Sequence, residues 1–129
     1  MTAFRRTAPA VLRIAAGIAL LLGMAGGGFA WRESEVKRSF AAGERALARD
    51  DFGAAIAAYG RALALAPGRA DIHHQIGVAH ALRGELDAAI VHLEEAERLF
   101  PTAEGRADLA RARADRRKAA ADQSRRGED

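Results

Sequence analysis

The chain has 129 residues, no cysteine, only seven aromatic side chains (five Phe, one Trp, one Tyr) and a formal net charge of +3. A chain of this length supports one domain, and its helix-forming composition with few aromatic residues favours an all-α fold. The lack of cysteine excludes disulfide bonds, zinc sites built from thiolates and lipid attachment through a cysteine.

The N-terminal segment predicts export. Residues 14–31 are eighteen consecutive residues without a charge, and Arg5, Arg6 and Arg13 precede them with no acid. The rest of the chain has 17 basic and 17 acidic residues, so the basic character belongs to this leader. At about 1.5 Å per helical residue the apolar run reaches roughly 27 Å, close to the ~30 Å hydrocarbon core of a bilayer.

Two interpretations of residues 1–31 stay open. The segment is an uncleaved signal anchor with Trp31 at the membrane interface, or a signal peptide cleaved at the small residues around Gly28 and Ala30. A buried core helix fits less well, because a repeat unit has no place for a helix that is apolar on all sides. The numbers of Lys and Arg residues before and after the apolar run do not decide how the segment is oriented in the membrane. A basic start followed by an apolar run is, however, typical of export leaders. We expect a single-pass protein of the cytoplasmic (inner) membrane with its helical domain outside the cytoplasm, or alternatively a periplasmic or secreted protein.

The remaining sequence predicts five helices, at residues 34–49, 52–66, 71–82, 86–100 and 103–120. Asp51 and Thr102 are predicted N-caps, because their side chains can accept hydrogen bonds from free amides of the first helical turn. Proline followed by glycine at 67–68 predicts the end of the second helix. Residues 121–129 are predicted to be a disordered tail.

Residues 36–69 and 70–103 match each other at a spacing of 34 residues. This period is typical of helix-turn-helix solenoids, in which recurring small residues let paired helices approach closely. The matching positions are Gly43, Ala55, Tyr59, Ala62 and Pro67 in the first repeat and Gly77, Ala89, Leu93, Ala96 and Pro101 in the second.

This pattern resembles the tetratricopeptide repeat (TPR) family, whose units carry Gly in the first helix, Ala, a large residue and Ala in the second, and a closing Pro. The resemblance implies two TPR units within residues 32–103 and a capping helix at residues 104–120. A third unit would need Gly at position 111, which is Arg111. We predict that Ala107, Ala110 and Ala114 form the side of the capping helix that covers the last repeat.

The family's first helices line a concave groove that holds a peptide or helix of another protein. The resemblance therefore implies a non-enzymatic interaction module, acting as a tethered scaffold or assembly factor, with self-association or a role as a single-pass subunit of a larger membrane complex as alternatives. No phosphate-binding loop or nucleophile motif argues for an enzyme, and no cofactor is expected. The implied groove residues are Lys37, Phe40, Glu44, Leu47, Asp71, His74, Val78 and Ala81.

All four histidines lie in the second repeat, which raises the possibility of metal binding. No two of them have the i,i+4 spacing that suits one ion on a helix, and His73 and His80 are about 10 Å apart along the axis. We therefore expect no metal site, with imidazoles at the edge of the core and His74 exposed. A histidine-based metal or ligand site stays open as a third hypothesis. Acids interleave with the basic residues of the last helix, so nucleic acid is not an expected partner.

Overall fold

The computed structural model describes the backbone of residues 8–127 and the side chains of residues 27–127, and all regular elements in this part of the chain are α-helices. The chain divides into two compact units, residues 1–34 and 35–129. Among the residues with described side chains, no helix is both long enough and apolar enough to cross a membrane. Most of the predicted anchor, residues 14–26, lies outside the residues whose side chains are described.

The helices are α1 (Ala8–Leu47), α2 (Phe52–Leu65), α3 (Ala70–Leu82), α4 (Leu86–Leu99) and α5 (Ala103–Arg126).

The first helix differs from the prediction, because α1 is continuous from Ala8 to Leu47 and does not begin at residue 34. The sequence explains this continuity. No proline occurs between Pro9 and Pro67, and each glycine within a helix costs only about 1 kcal/mol relative to alanine, so nothing in the segment forces an interruption. A compositional boundary near residue 31 is therefore not a boundary of secondary structure.

The other helix boundaries agree closely with the sequence, apart from the end of α5. The ends of α2, α3 and α4 lie within one residue of the prediction, and both predicted N-caps are confirmed. Asp51 accepts a hydrogen bond from the amide of Ala54 at 3.0 Å, and Thr102 accepts one from the amide of Gly105 at 2.9 Å. Helix α5 continues to Arg126, beyond the predicted end near Ala120.

The two helical hairpins turn in the same way. Asp50 has a left-handed backbone with φ of 57°, and Gly84, the matching residue of the second hairpin, has φ of 80°. In both turns the residue after this left-handed position donates its amide hydrogen to the carbonyl of the residue five positions before it, at 3.0 Å. This is the Schellman arrangement that satisfies the last carbonyls of a helix. The 34-residue register is therefore present in the backbone as well as in the sequence.

Each hairpin also closes through the same contact, a glycine of the first helix beneath a large side chain of the second. A Cβ atom on Gly43 would lie 2.6 Å from Cδ1 of Tyr59, and one on Gly77 would lie 2.7 Å from Cγ of Leu93. No side chain larger than hydrogen fits at either position without movement. The alanines of the pattern, at positions 55, 62, 89 and 96, are buried beside these contacts.

The core of the 35–129 unit is built mainly from small residues. Its larger cluster joins α1, α2 and α3 around Tyr59, Ile72 and Ile76, and its smaller cluster joins α4 and α5 around Leu93 and Leu109. Several members are alanines, which bury little apolar area each. At roughly 25 cal/mol per Å² of buried apolar surface, the core contributes modestly to the free energy of folding.

The packing side of α5 differs from the prediction. Ala107, Ala110 and Ala114 are exposed, and α5 is buried along Gly105, Leu109 and Ala112 instead. These three residues follow the buried Ile72, Ile76 and Ala79 of α3 by 33 residues, the same interval that separates those three from the buried Ser39, Gly43 and Ala46 of α1. Leu109 explains which side of α5 is buried, because its burial outweighs the small contribution of any alanine.

Candidate partner-binding surface

The four groove residues predicted on α3 share one face of that helix and border α5. Asp71 and His74 line a cavity of about 180 Å³ next to the connection between α4 and α5. Two hydrogen bonds from Arg69, at 2.9 and 2.5 Å, lower the pKa of Asp71. The wall of this cavity is acidic and partly apolar, and its other residues are Ala70, Ala96, Glu97, Phe100, Thr102, Glu104 and Gly105.

Val78 and Ala81 line a second cavity, of about 190 Å³, at the C-terminal half of α3. Leu82, which is 55 % exposed, borders it. Asp108, Arg111 and Asp115 provide charged groups from α5, and Leu93 and Ala112 complete the wall. All four predicted residues of the second repeat thus face crevices that α5 helps to form.

The predicted groove residues of the first repeat are placed differently. Phe40 and Leu47 are half-buried and pack against the larger core cluster, where the ring of Phe40 lies 5.3 Å from that of Tyr59. Glu44 accepts a hydrogen bond from the Tyr59 hydroxyl at 2.5 Å. This bond, together with burial as the larger cause, raises the pKa of Tyr59. Lys37 is exposed. On α1 the predicted surface therefore overlaps with residues that hold Tyr59.

Three of the histidines come together between α3 and α4. Nδ1 of His73 lies 3.2 Å from Nδ1 of His92, and the ring of His80 stacks on that of His92 with 5.7 Å between centroids. All three are half-buried, at the edge of the core as predicted. Burial, followed by the charges of His73 and His80, lowers the pKa of His92. His80 also lies 2.6 Å from a carboxylate oxygen of Glu85.

The prediction that His74 is exposed is wrong, because its side chain is only 21 % exposed and contacts α5. Its Nε2 atom lies 3.0 Å from a carboxylate oxygen of Asp108. Glu104 lies close to both residues, so an imidazole and two carboxylates converge between α3 and α5. The i,i+4 spacing of the two acids was visible in the sequence, but their position opposite His74 depends on how α5 packs.

Arginines of α5 pair with acids rather than forming a continuous basic surface. Arg113 contacts Glu94 of α4 at 2.6 Å, and Arg116 contacts Asp87 of the same helix. Arg111 lies 3.5 Å from Asp108 within α5. These pairs orient α5 along α4, although exposed ion pairs contribute at most about 1 kcal/mol each.

Comparison of the chain with protein-family models gave no match, and comparison with curated proteins gave none either.

Proposed function

We propose that this protein is a non-enzymatic interaction module of the TPR type, which holds a segment of another polypeptide against its first helices. The observation that carries the proposal is the contact of Gly43 with Tyr59, repeated by Gly77 and Leu93 at a spacing of 34 residues. The shared turn geometry at Asp50 and Gly84 supports it. A packing unit that repeats at this interval is typical of helical solenoids that bind proteins.

The α3–α5 crevices are the best candidates for the binding surface. They combine small apolar surfaces at Val78 and Ala81 with carboxylates at Asp71, Glu104 and Asp115. Acidic groups around an apolar floor favour a partner segment that carries basic residues next to apolar ones. Phe100, which is 68 % exposed beside the first cavity, would add an aromatic contact.

Within this proposal the N-terminal segment tethers the module. Residues 14–31 supply the apolar run, and Phe29 and Trp31, which are 76 % and 58 % exposed, suit the interface between hydrocarbon and water. The module would then act as a scaffold or assembly factor outside the cytoplasm. Cleavage of the leader would instead give a periplasmic or secreted form, and packing of the span against other helices would give a structural subunit of a larger membrane complex.

The binding surface is tested by capturing partners with the full-length chain after cross-linking in its native cells. The Val78→Lys/Ala81→Lys variant should lose the partner, because two ammonium groups would occupy the apolar floor of the second cavity and repel the basic residues of the partner. Ala57→Lys is the matched control, since Ala57 is exposed on α2. Both variants must keep the wild-type helical circular dichroism. Equal capture by the wild type and the crevice variant, or loss of capture in the control, would contradict the proposal.

The tether is tested separately. The full-length chain should remain in the membrane fraction after alkaline carbonate extraction, and its N-terminal residues should be intact by mass spectrometry. Recovery of a soluble form that begins near Trp31 would replace the tether with a cleaved leader. This result would leave the proposal for the binding surface unaffected.

A further inference from the structure

We propose that His74, Glu104 and Asp108 form a Zn²⁺ site that joins α3 to α5. One ligand atom from each residue, an imidazole nitrogen and two carboxylate oxygens, lies within 4.8 Å of the other two. The site lies in the walls of the proposed partner-binding crevices, but binding of the ion does not require a partner polypeptide.

The distances suit one small cation. Zn²⁺ binds imidazole nitrogen at about 2.0–2.1 Å and carboxylate oxygen at about 2.0–2.2 Å. Tetrahedral ligand atoms are therefore about 3.4 Å apart. His74 and Asp108 are at a hydrogen-bond distance of 3.0 Å and would separate by about 0.4 Å to hold the ion, while the side chain of Glu104 would approach them. It is exposed, and rotation of its side chain displaces no core residue.

The contact between His74 and Asp108 would be replaced by bonds to the ion, and the other protein contacts around the cluster leave its ligand atoms accessible. Arg111 lies near Oδ1 of Asp108, whereas His74 lies near Oδ2. Other carboxylates of the adjoining cavity are already engaged, since Asp71 binds Arg69 and Glu97 accepts a hydrogen bond from the amide of Thr102 at 2.9 Å. Within residues 27–127, the Glu104 carboxylate has neither an ion pair nor a hydrogen bond.

The donor set selects the class of metal. One imidazole and two carboxylates match the mixed nitrogen and oxygen ligands of three-residue zinc sites, in which a water molecule takes the fourth position. The adjoining cavity of about 180 Å³ has room for that water. Ca²⁺ and Mg²⁺ prefer oxygen ligands alone, and Mn²⁺ binds a given site more weakly than Zn²⁺. The two carboxylates balance the charge of the ion.

The test is titration of the metal-free, full-length chain with ZnCl₂ by isothermal titration calorimetry. We expect one Zn²⁺ per chain. Loss of a residue that only orients a ligand lowers metal affinity by about 10–100-fold, so loss of a ligand in His74→Asn or Glu104→Gln should lower it by about 100-fold or more. Glu104→Gln removes no protein contact, so it reports on the metal even if His74→Asn alters the packing of α5.

His73→Asn and His92→Asn are the matched controls, because they remove the nearest other imidazoles, and their affinity should stay within a few-fold of the wild type. Bound Zn²⁺ should also resist excess Ca²⁺. Absence of binding, or full affinity in Glu104→Gln, would overturn the proposal. Loss of binding in His92→Asn would assign the ion to the other histidines, and displacement by Ca²⁺ would indicate an unselective acidic cluster. Either result would also overturn it.

Discussion

Gly43→Ala tests the repeated hairpin contact most directly. The added Cβ atom would lie 2.6 Å from Cδ1 and 2.7 Å from Cζ of the Tyr59 ring, and closer still to Cε1. Carbon atoms in favourable contact are about 3.5–4.0 Å apart, so the helices or the ring must move by roughly 1 Å. The ring has little freedom to do so, because it is fully buried between Phe40 and its hydrogen bond to Glu44.

The expected effect is the difference between two opposing terms. Overpacking a closely packed site costs about 1–3 kcal/mol, whereas alanine is favoured over glycine within a helix by about 0.5–1 kcal/mol. Because the added Cβ would approach the ring well inside normal contact distance, the cost lies in the upper half of its range and the net loss of stability is about 1–2 kcal/mol. Gly60→Ala is the matched control, because Gly60 lies within α2 and its added Cβ would meet no atom within 4 Å. This control should gain about 0.5–1 kcal/mol.

Thermal denaturation of the full-length chain, followed by circular dichroism at 222 nm, compares the two variants. For a unit of this size, Gly43→Ala should lower the melting temperature by roughly 5–15 °C, and Gly60→Ala should raise it by several degrees. The two shifts in melting temperature should have opposite signs, and this difference is the essential result, because both variants carry the same Gly→Ala substitution in a helix. If Gly43→Ala melts at or above the wild-type temperature, the close approach of α1 and α2 is not a constraint on this fold.

Three further predictions concern the turn, the histidines and the groove. Asp50→Gly should raise the melting temperature by a few degrees, because glycine lacks the strain of a left-handed side-chain residue, and an unchanged or lower value would contradict this reasoning. The pKa of His92 is lowered below 6.5 in the folded chain, so the unfolded chain takes up a proton at this residue at higher pH than the folded chain does. The stability should therefore decrease as pH falls below about 6.5. Glu85 and His73 are among the charged groups that affect this pH dependence. His92→Ala, which copies Ala58 of the first hairpin, should weaken this dependence in urea denaturation at pH 5 and pH 8, and an unchanged pH dependence would refute the assignment. Phe40→Ala should cost about 2 kcal/mol, less than a fully buried Phe, and partner capture by its folded fraction separates a packing role from a binding role.

The sequence predicted the hairpins well because their signals are local or strictly repeated. Caps such as Asp51 and closing residues such as Pro67 act within a few positions of their own location. The spacing of Gly43 and Gly77 specifies the paired helices, since only small residues allow close approach at both places. The start of α1 was not predicted, because a change of composition near residue 31 is not a helix-breaking signal.

The candidate site was harder to predict because it depends on packing between elements. The four residues on α3 were implied by the resemblance to the TPR family, and the structure places them along one face of the helix. Their surroundings come from α5, whose buried side is determined by Leu109 and not by its alanines. This packing brings Asp108 to His74 and leaves Ala107 exposed.

Arg111 of α5 also restricts how such a chain can lengthen. Duplication of a 34-residue segment upstream of α4 would create another junction like that between α2 and α3, where one hairpin already packs on the next. Adding a hairpin after α5 would instead require a second helix to pack on Arg111, at the position where both existing hairpins have glycine. A further hairpin would therefore pack on α5 only after Arg111 is replaced by a small residue, whereas the junction between α2 and α3 would accept another unit without such a change.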